Sequence, residues 1–131
     1  MTLQVSSHVL DALISEARQA HPRECCGLML GKEGSIVAIQ PAVNVHPEPE
    51  NQFEIDPQAL IDAHRNARMG GPQVLGYYHS HPNGRAHPSA HDEAMATGDG
   101  AIWAIIAAGS VSFWRLGDAG FAALPYEAAE R

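Results

Sequence analysis

An apolar run over residues 73–80 ends in His79-Ser80-His81-Pro82, and that junction limits what the chain can build around it. Side chains alternate between faces of a strand, so His79 and His81 point one way and Ser80 the other. Pro82 has no N–H to donate, which stops the strand. Asn83-Gly84 reads as a turn, and Pro88-Ser89 opens a helix expected to reach about Thr97. The chain therefore turns back within a few residues and brings a helix N-terminus to a strand end.

The rest of the chain supplies partners for that unit. Val9, Leu10, Leu13, Ile14 and Ala17 recur at helical spacing behind Ser6-Ser7, which predicts a capped helix over residues 7–20, closed near His21-Pro22. Residues 25–30 and 35–40 read as strands joined by a turn at Lys32-Glu33-Gly34. Residues 41–51 are rich in Pro, Asn and Glu and read as a long surface loop. Phe53-Glu54-Ile55 alternates like a strand. Asp56-Pro57 supplies a cap and a first-turn proline for a helix ending at Gly70-Gly71. Residues 101–107, 110–116 and 120–124 complete the strands. Strands first paired by tight turns and then alternating with helices predict a mixed α/β domain, its sheet largely antiparallel and packed by helices.

A chain of 131 residues suits one domain and buries a core without staples. A metal here is therefore not required for folding. The formal net charge is -7 and the few Lys and Arg are scattered, which argues against nucleic acid or an anionic membrane as partner. Adjacent Cys25 and Cys26 read as two reduced thiols, because neighbouring cysteines pair only with strain. No signal-peptide pattern or membrane-length apolar run is visible, and the expected compartment is the cytoplasm.

His79, His81 and Asp92 all fall at the strand end or in the first turn of the following helix. Two imidazoles and a carboxylate leave one position of a tetrahedral zinc open, as in a catalytic rather than a structural site. Ser89-x-x-Asp92 also fits a capping box. On spacing alone both readings of Asp92 stand. His91 is turned about 100° away on the helix, and His87 lies in the loop; both read as solvated. A hydrolytic site also needs a base. Glu24 and Glu93 are the local candidates, and spacing does not bring Glu24 to the histidines. A two-His, one-carboxylate iron oxygenase shares the ligand set. A zinc deaminase also needs P-C-x-x-C, which the adjacent Cys25-Cys26 cannot supply.

The stretch His79-Ser80-His81-Pro82, six residues, Ser89, two residues, Asp92 resembles the JAMM (MPN+) metalloprotease signature at every defined position. Glu24-Cys25-Cys26-Gly27-Leu28 resembles that family's E-x-C-G-L segment. Phe53-x-Ile55-Asp56-Pro57 and Ser112-Phe113-Trp114-Arg115 are similar to weaker family features. The resemblance covers nearly the whole chain. It implies a single MPN/JAB1-type domain over residues 1–131, with a curved sheet flanked by helices as in cytidine deaminases. It implies one zinc per chain on His79, His81 and Asp92. Glu24 would be general base and then acid, and Ser89 would donate to the oxyanion. The implied substrates are peptide or isopeptide bonds after the Gly-Gly C-terminus of a ubiquitin-like or sulfur-carrier protein. Residues 41–51 and 98–101 leave little room for the insertions of eukaryotic deubiquitinating members, so the compact prokaryotic type is the nearer likeness. The alternative is a non-catalytic MPN scaffold that binds partners without metal.

Overall fold

The computed structural model describes residues 2–96 and 99–129. Its elements run β1 (Leu3–Ser6), α1 (Ser7–Ala20), β2 (Cys26–Lys32), β3 (Ser35–Ala42), α2 (Pro57–Arg68), β4 (Gln73–Ser80), α3 (Ala90–Met95), β5 (Ile102–Ala107), β6 (Ser110–Gly117), β7 (Gly120–Leu124) and β8 (Tyr126–Ala129). One eight-stranded sheet takes the order β7-β6-β5-β4-β2-β3-β1-β8. Four of its seven pairings are antiparallel and three parallel, so the sheet is mixed.

Helices cover both faces. Val9 and Leu13 of α1 pack with Val5, Ile36, Tyr78, Ala104, Ile106 and Phe113. On the other face Ala63 of α2 packs with Cys26, Leu28, Phe53, Ile55 and Trp103. Strand alternation divides neighbours between the two cores: Cys25 joins the first and Cys26 the second. β5 is buried at every position. A strand covered on both faces has no polar side to offer, which is why its sequence reads as an unbroken apolar run.

α2 begins as its sequence requires. Asp56 Oδ1 accepts the Gln58 N–H at 3.1 Å and Pro57 occupies the first helical position. At α1 the expected cap does not form: Ser6 makes no side-chain cap bond. Ser7 Oγ instead donates to the Ala129 carbonyl at 2.9 Å and ties the helix start to β8. β1 and β8 are strands that local patterning does not predict. They pair in parallel, Leu3 with Tyr126 through Ser6 with Ala129. Phe53-Glu54-Ile55 does not form the expected strand, and only the isolated bridge Asn44–Ile55 is present. Residues 41 and 42 belong to β3 rather than to the loop. α3 is described to Met95, and the expected helix end at Thr97 lies outside the described residues. Among the described residues no helix is long and apolar enough to cross a membrane.

β4 sits at the centre, antiparallel to β2 with Cys26 opposite His79, and parallel to β5 with His79 opposite Ile105. The fit at β4 depends on Gly76. A Cβ there would overlap the Ile102 backbone. Gly76→Ala is expected to lower the unfolding free energy by about 2–4 kcal/mol, because β5 has to move away. Urea denaturation checks this, and an unchanged midpoint would mean that the two strands are not so closely seated.

Candidate metal centre

The end of β4 is held by three hydrogen bonds. The Ser80 N–H donates to the Cys25 carbonyl at 3.1 Å, and the His81 N–H to the Ile106 carbonyl at 2.9 Å. Ser80 Oγ, on the α1 side, accepts the Cys25 N–H at 2.8 Å. With the backbone fixed this way, alternation sends His79 and His81 together to the opposite side. α3 follows after the Pro82 turn and delivers Asp92 in its first turn.

His79 Nε2 lies 3.0 Å from His81 Nε2 and 3.2 Å from Asp92 Oδ2, and His81 Nε2 lies 3.1 Å from the same oxygen. All three residues are buried. Among the described residues they are the group of three that could hold a metal. His87 and His91 stand outside it. His87 packs edge-on against Trp114 at 5.5 Å, and His91 against His46 at 6.3 Å.

The surroundings of each ligand set its proton state. His81 Nδ1 donates to the Arg85 carbonyl at 2.7 Å. A carbonyl only accepts, so the proton sits on Nδ1 and the Nε2 lone pair faces Asp92. The His79 ring stacks on Phe53 at 4.2 Å and meets Trp103 edge-on at 5.7 Å. Its Nδ1 is buried without a hydrogen-bond partner, so aromatic walls orient this ring where a second hydrogen bond orients His81. Burial holds His79 below its ordinary value and favours the neutral imidazole. Burial also lowers His81, but the Asp92 carboxylate and the Arg85 carbonyl outweigh it and leave that ring raised. Burial would raise Asp92. The adjoining His79 and His81 imidazoles and the Ser89 N–H instead hold its carboxyl far below the usual range. Acceptor atoms at such spacing repel unless a proton or a cation lies among them, and one cation serves all three. The donor set therefore fits a divalent metal.

The two readings of Asp92 prove compatible. Ser89 Oγ accepts the Asp92 N–H at 3.0 Å, and the Ser89 N–H donates to Asp92 Oδ2 at 2.8 Å, a complete capping box. The oxygen that caps is the oxygen that faces the histidines, so the cap aims the ligand.

Glu24 precedes β2, and the pairing of Cys25 with Ser80 brings it to the same place. It lines a cavity of about 320 Å³ with His81, Ser89, Asn51, Arg85 and His87. Burial pushes its carboxyl up to about 7; His81 opposes this and Asp92 adds to it. Sequence spacing offers no sign of this approach. Two further residues carry weight that sequence reasoning missed. Alternation turns Ser80 away from the histidines, but it gives no sign that the Ser80 hydroxyl holds Cys25. Asn44, which donates to the Glu24 carbonyl at 3.0 Å, lies in a loop and gives no signal. Cys25 and Cys26 are buried, and burial pushes their thiols up to about 11 and about 12.

The chain has relatives among known proteins. Residues 6–117 match the family described as prokaryotic homologs of the JAB domain. A desampylase from Haloferax volcanii is 30% identical over 79% of this chain and 78% of its own length. A probable TtuB-protein conjugate cleaving protease from Thermus thermophilus is 34% identical over 70% of this chain and 62% of its own. In structure, a JAB1/MPN domain protein from Archaeoglobus fulgidus superposes with a TM-score of 0.62 over 96% of this chain and 97% of that one, at 19% identity. The family match spans most of the chain, and the fold agrees: the chain belongs to the prokaryotic homologues of the JAB domain.

Proposed function

We propose that the chain is a cytoplasmic, zinc-dependent peptidase or isopeptidase, a single domain over residues 1–131. It hydrolyses the bond after the C-terminus of a ubiquitin-like or sulfur-carrier protein that ends in Gly-Gly. The observation that carries this reading is the convergence of His79 Nε2, His81 Nε2 and Asp92 Oδ2 beside a cavity that Glu24 also lines. Support also comes from the similarity to a desampylase and to a probable TtuB-protein conjugate cleaving protease.

His79, His81 and Asp92 would hold one zinc. Tetrahedral zinc with ligands at about 2.0–2.1 Å asks for ligand atoms about 3.3 Å apart; the observed separations are 3.0, 3.2 and 3.1 Å. When bound, zinc polarises the scissile carbonyl and makes water a stronger acid. Glu24 takes a proton from the attacking water as the new C–O bond forms, and returns it to the amine as the C–N bond breaks. The Ser89 hydroxyl accepts from the Asp92 N–H, which leaves its own proton free to donate to the developing negative charge on the carbonyl oxygen.

The direct test follows the intact mass of a Gly-Gly-ending sulfur-carrier protein extended by cysteine or a short peptide. Zinc-loaded wild type should remove the extension, and Glu24→Gln should slow removal at least about 100-fold. Equal rates would sink the role of Glu24. Wild type should carry close to one zinc per chain by elemental analysis. Asp92→Asn should weaken zinc at least as much as the roughly 100-fold that loss of an outer-shell partner costs.

Glu24 also ties stability to pH. Its carboxyl rises from an ordinary 4.5 to about 7 in the fold, so the folded state holds that proton more tightly. Ionisation then costs stability as pH climbs through this window, and the full cost is present above it. In metal-free protein Glu24→Gln should raise stability at pH 8 by as much as roughly 3 kcal/mol. At pH 4, where both states are protonated, it should change little. Thermal melts at the two pH values check this, and an equal gain at both would remove ionisation as the cause.

A further inference from the structure

Glu24 sits between two cavities. The one in front contains His81 and Ser89. The one behind, about 340 Å³, is lined by Glu24 together with Glu16, Arg23, Asn44 and Pro49. Packing does not fill the space behind Glu24, so its position falls to hydrogen bonds. All four backbone groups of Glu24 and Cys25 are bonded. The Cys25 N–H and carbonyl go to Ser80. The Glu24 N–H donates to the Pro49 carbonyl at 2.7 Å, and the Glu24 carbonyl accepts from Asn44 Nδ2 at 3.0 Å. One half of the clamp is the ligand-bearing strand and the other is the surface loop after β3.

Asn44 is the centre of that loop. Its Nδ2 also donates to the Gln52 carbonyl at 3.0 Å, and its Oδ1 accepts the N–H groups of His46 and Glu54, each at 3.1 Å. Four bonds use the amide's full capacity of two donors and two acceptor sites. An aspartate of the same shape would keep the two accepted bonds and face the Glu24 and Gln52 carbonyls with acceptors alone. The far end of the loop, at Asn51, lines the front cavity. The loop thus spans the distance from the back of Glu24 to the mouth of the site.

We propose that Asn44 is a positioning residue for Glu24, holding it forward against the open space behind. This rests on the reading of Glu24 as the base. A displacement of about 1 Å at a reacting group costs on the order of 100-fold, so the effect falls on turnover and not on binding.

The test compares zinc-loaded wild type with Asn44→Asp, using a Gly-Gly-ending sulfur-carrier protein extended by cysteine. Amide hydrogen exchange is followed by NMR on the same proteins. The expected result is a kcat about 10- to 100-fold lower with KM and zinc content unchanged. The Glu24 amide, whose Pro49 acceptor lies in the loop that Asn44 holds, should exchange faster while the Cys25 amide, bonded to Ser80, stays protected. A raised KM at unchanged kcat would overturn the proposal, as would an unaltered Glu24 amide. So would equal loss of protection at Glu24, Cys25 and the core strands, which is general loosening. If wild type does not cleave, the proposed substrate has failed, and the amide comparison alone decides whether Asn44 holds Glu24. Should Asn44→Asp not fold, Asn44→Gln keeps the amide displaced by one methylene and carries the same comparison.

Discussion

Everything at the centre depends on Ser80 facing away from the residues on either side of it. Its hydroxyl takes the Cys25 N–H at 2.8 Å and its own N–H meets the Cys25 carbonyl. This locks the start of β2 to the end of β4 with no freedom in register. A slip of one residue would turn both histidines into the α1 core and bring Ser80 to the site. The parallel partner β5 adds the Ile106 carbonyl under His81. A strand end between two neighbours is rigid where a loop would not be, and ligand atoms need that rigidity to stand about 3 Å apart without relaxing.

That closeness has an energetic consequence. Buried acceptors facing one another, beside a buried carboxyl, disfavour the fold until something positive arrives. The fold tolerates this because apolar layers lie on both sides of the sheet, from Val9 and Leu13 on one face to Phe53 and Trp103 on the other. The capping box contributes as well. Asp92 is stabilised as a carboxylate by the Ser89 N–H, so the helix start and a cation among the three donor atoms would favour the same charge state. His79 shows a division of labour. Phe53 and Trp103 belong to the second core and also fix its ring, which makes the core itself an outer support of the site.

What could be read from sequence follows from how local each cause is. α1 and α2 announce themselves by apolar spacing, and α2 also by Asp56-Pro57. β4 is legible because an apolar run meets a proline. His79, His81 and Asp92 are legible because one strand, one turn and one short helix hold them all. β1 and β8 are not: each has four residues, and their pairing joins the two ends of the chain. Phe53-Glu54-Ile55 alternates in burial as a strand would. The Asn44 side chain takes the Glu54 N–H, however, and the segment is left with one bridge. Glu24 reaches the site through a contact between residues 55 apart, which no local pattern encodes. Only the motif resemblance implies a role for Glu24; spacing is silent.

The two cysteines invite a different conclusion from their place next to Glu24. They point into opposite cores and their thiols are pushed to about 11 and about 12. At neutral pH they are almost wholly protonated, and oxidants and soft metals attack the thiolate. A thiol pair beside the chemistry is a common way to shut an enzyme down under oxidative stress. Here burial removes that lever.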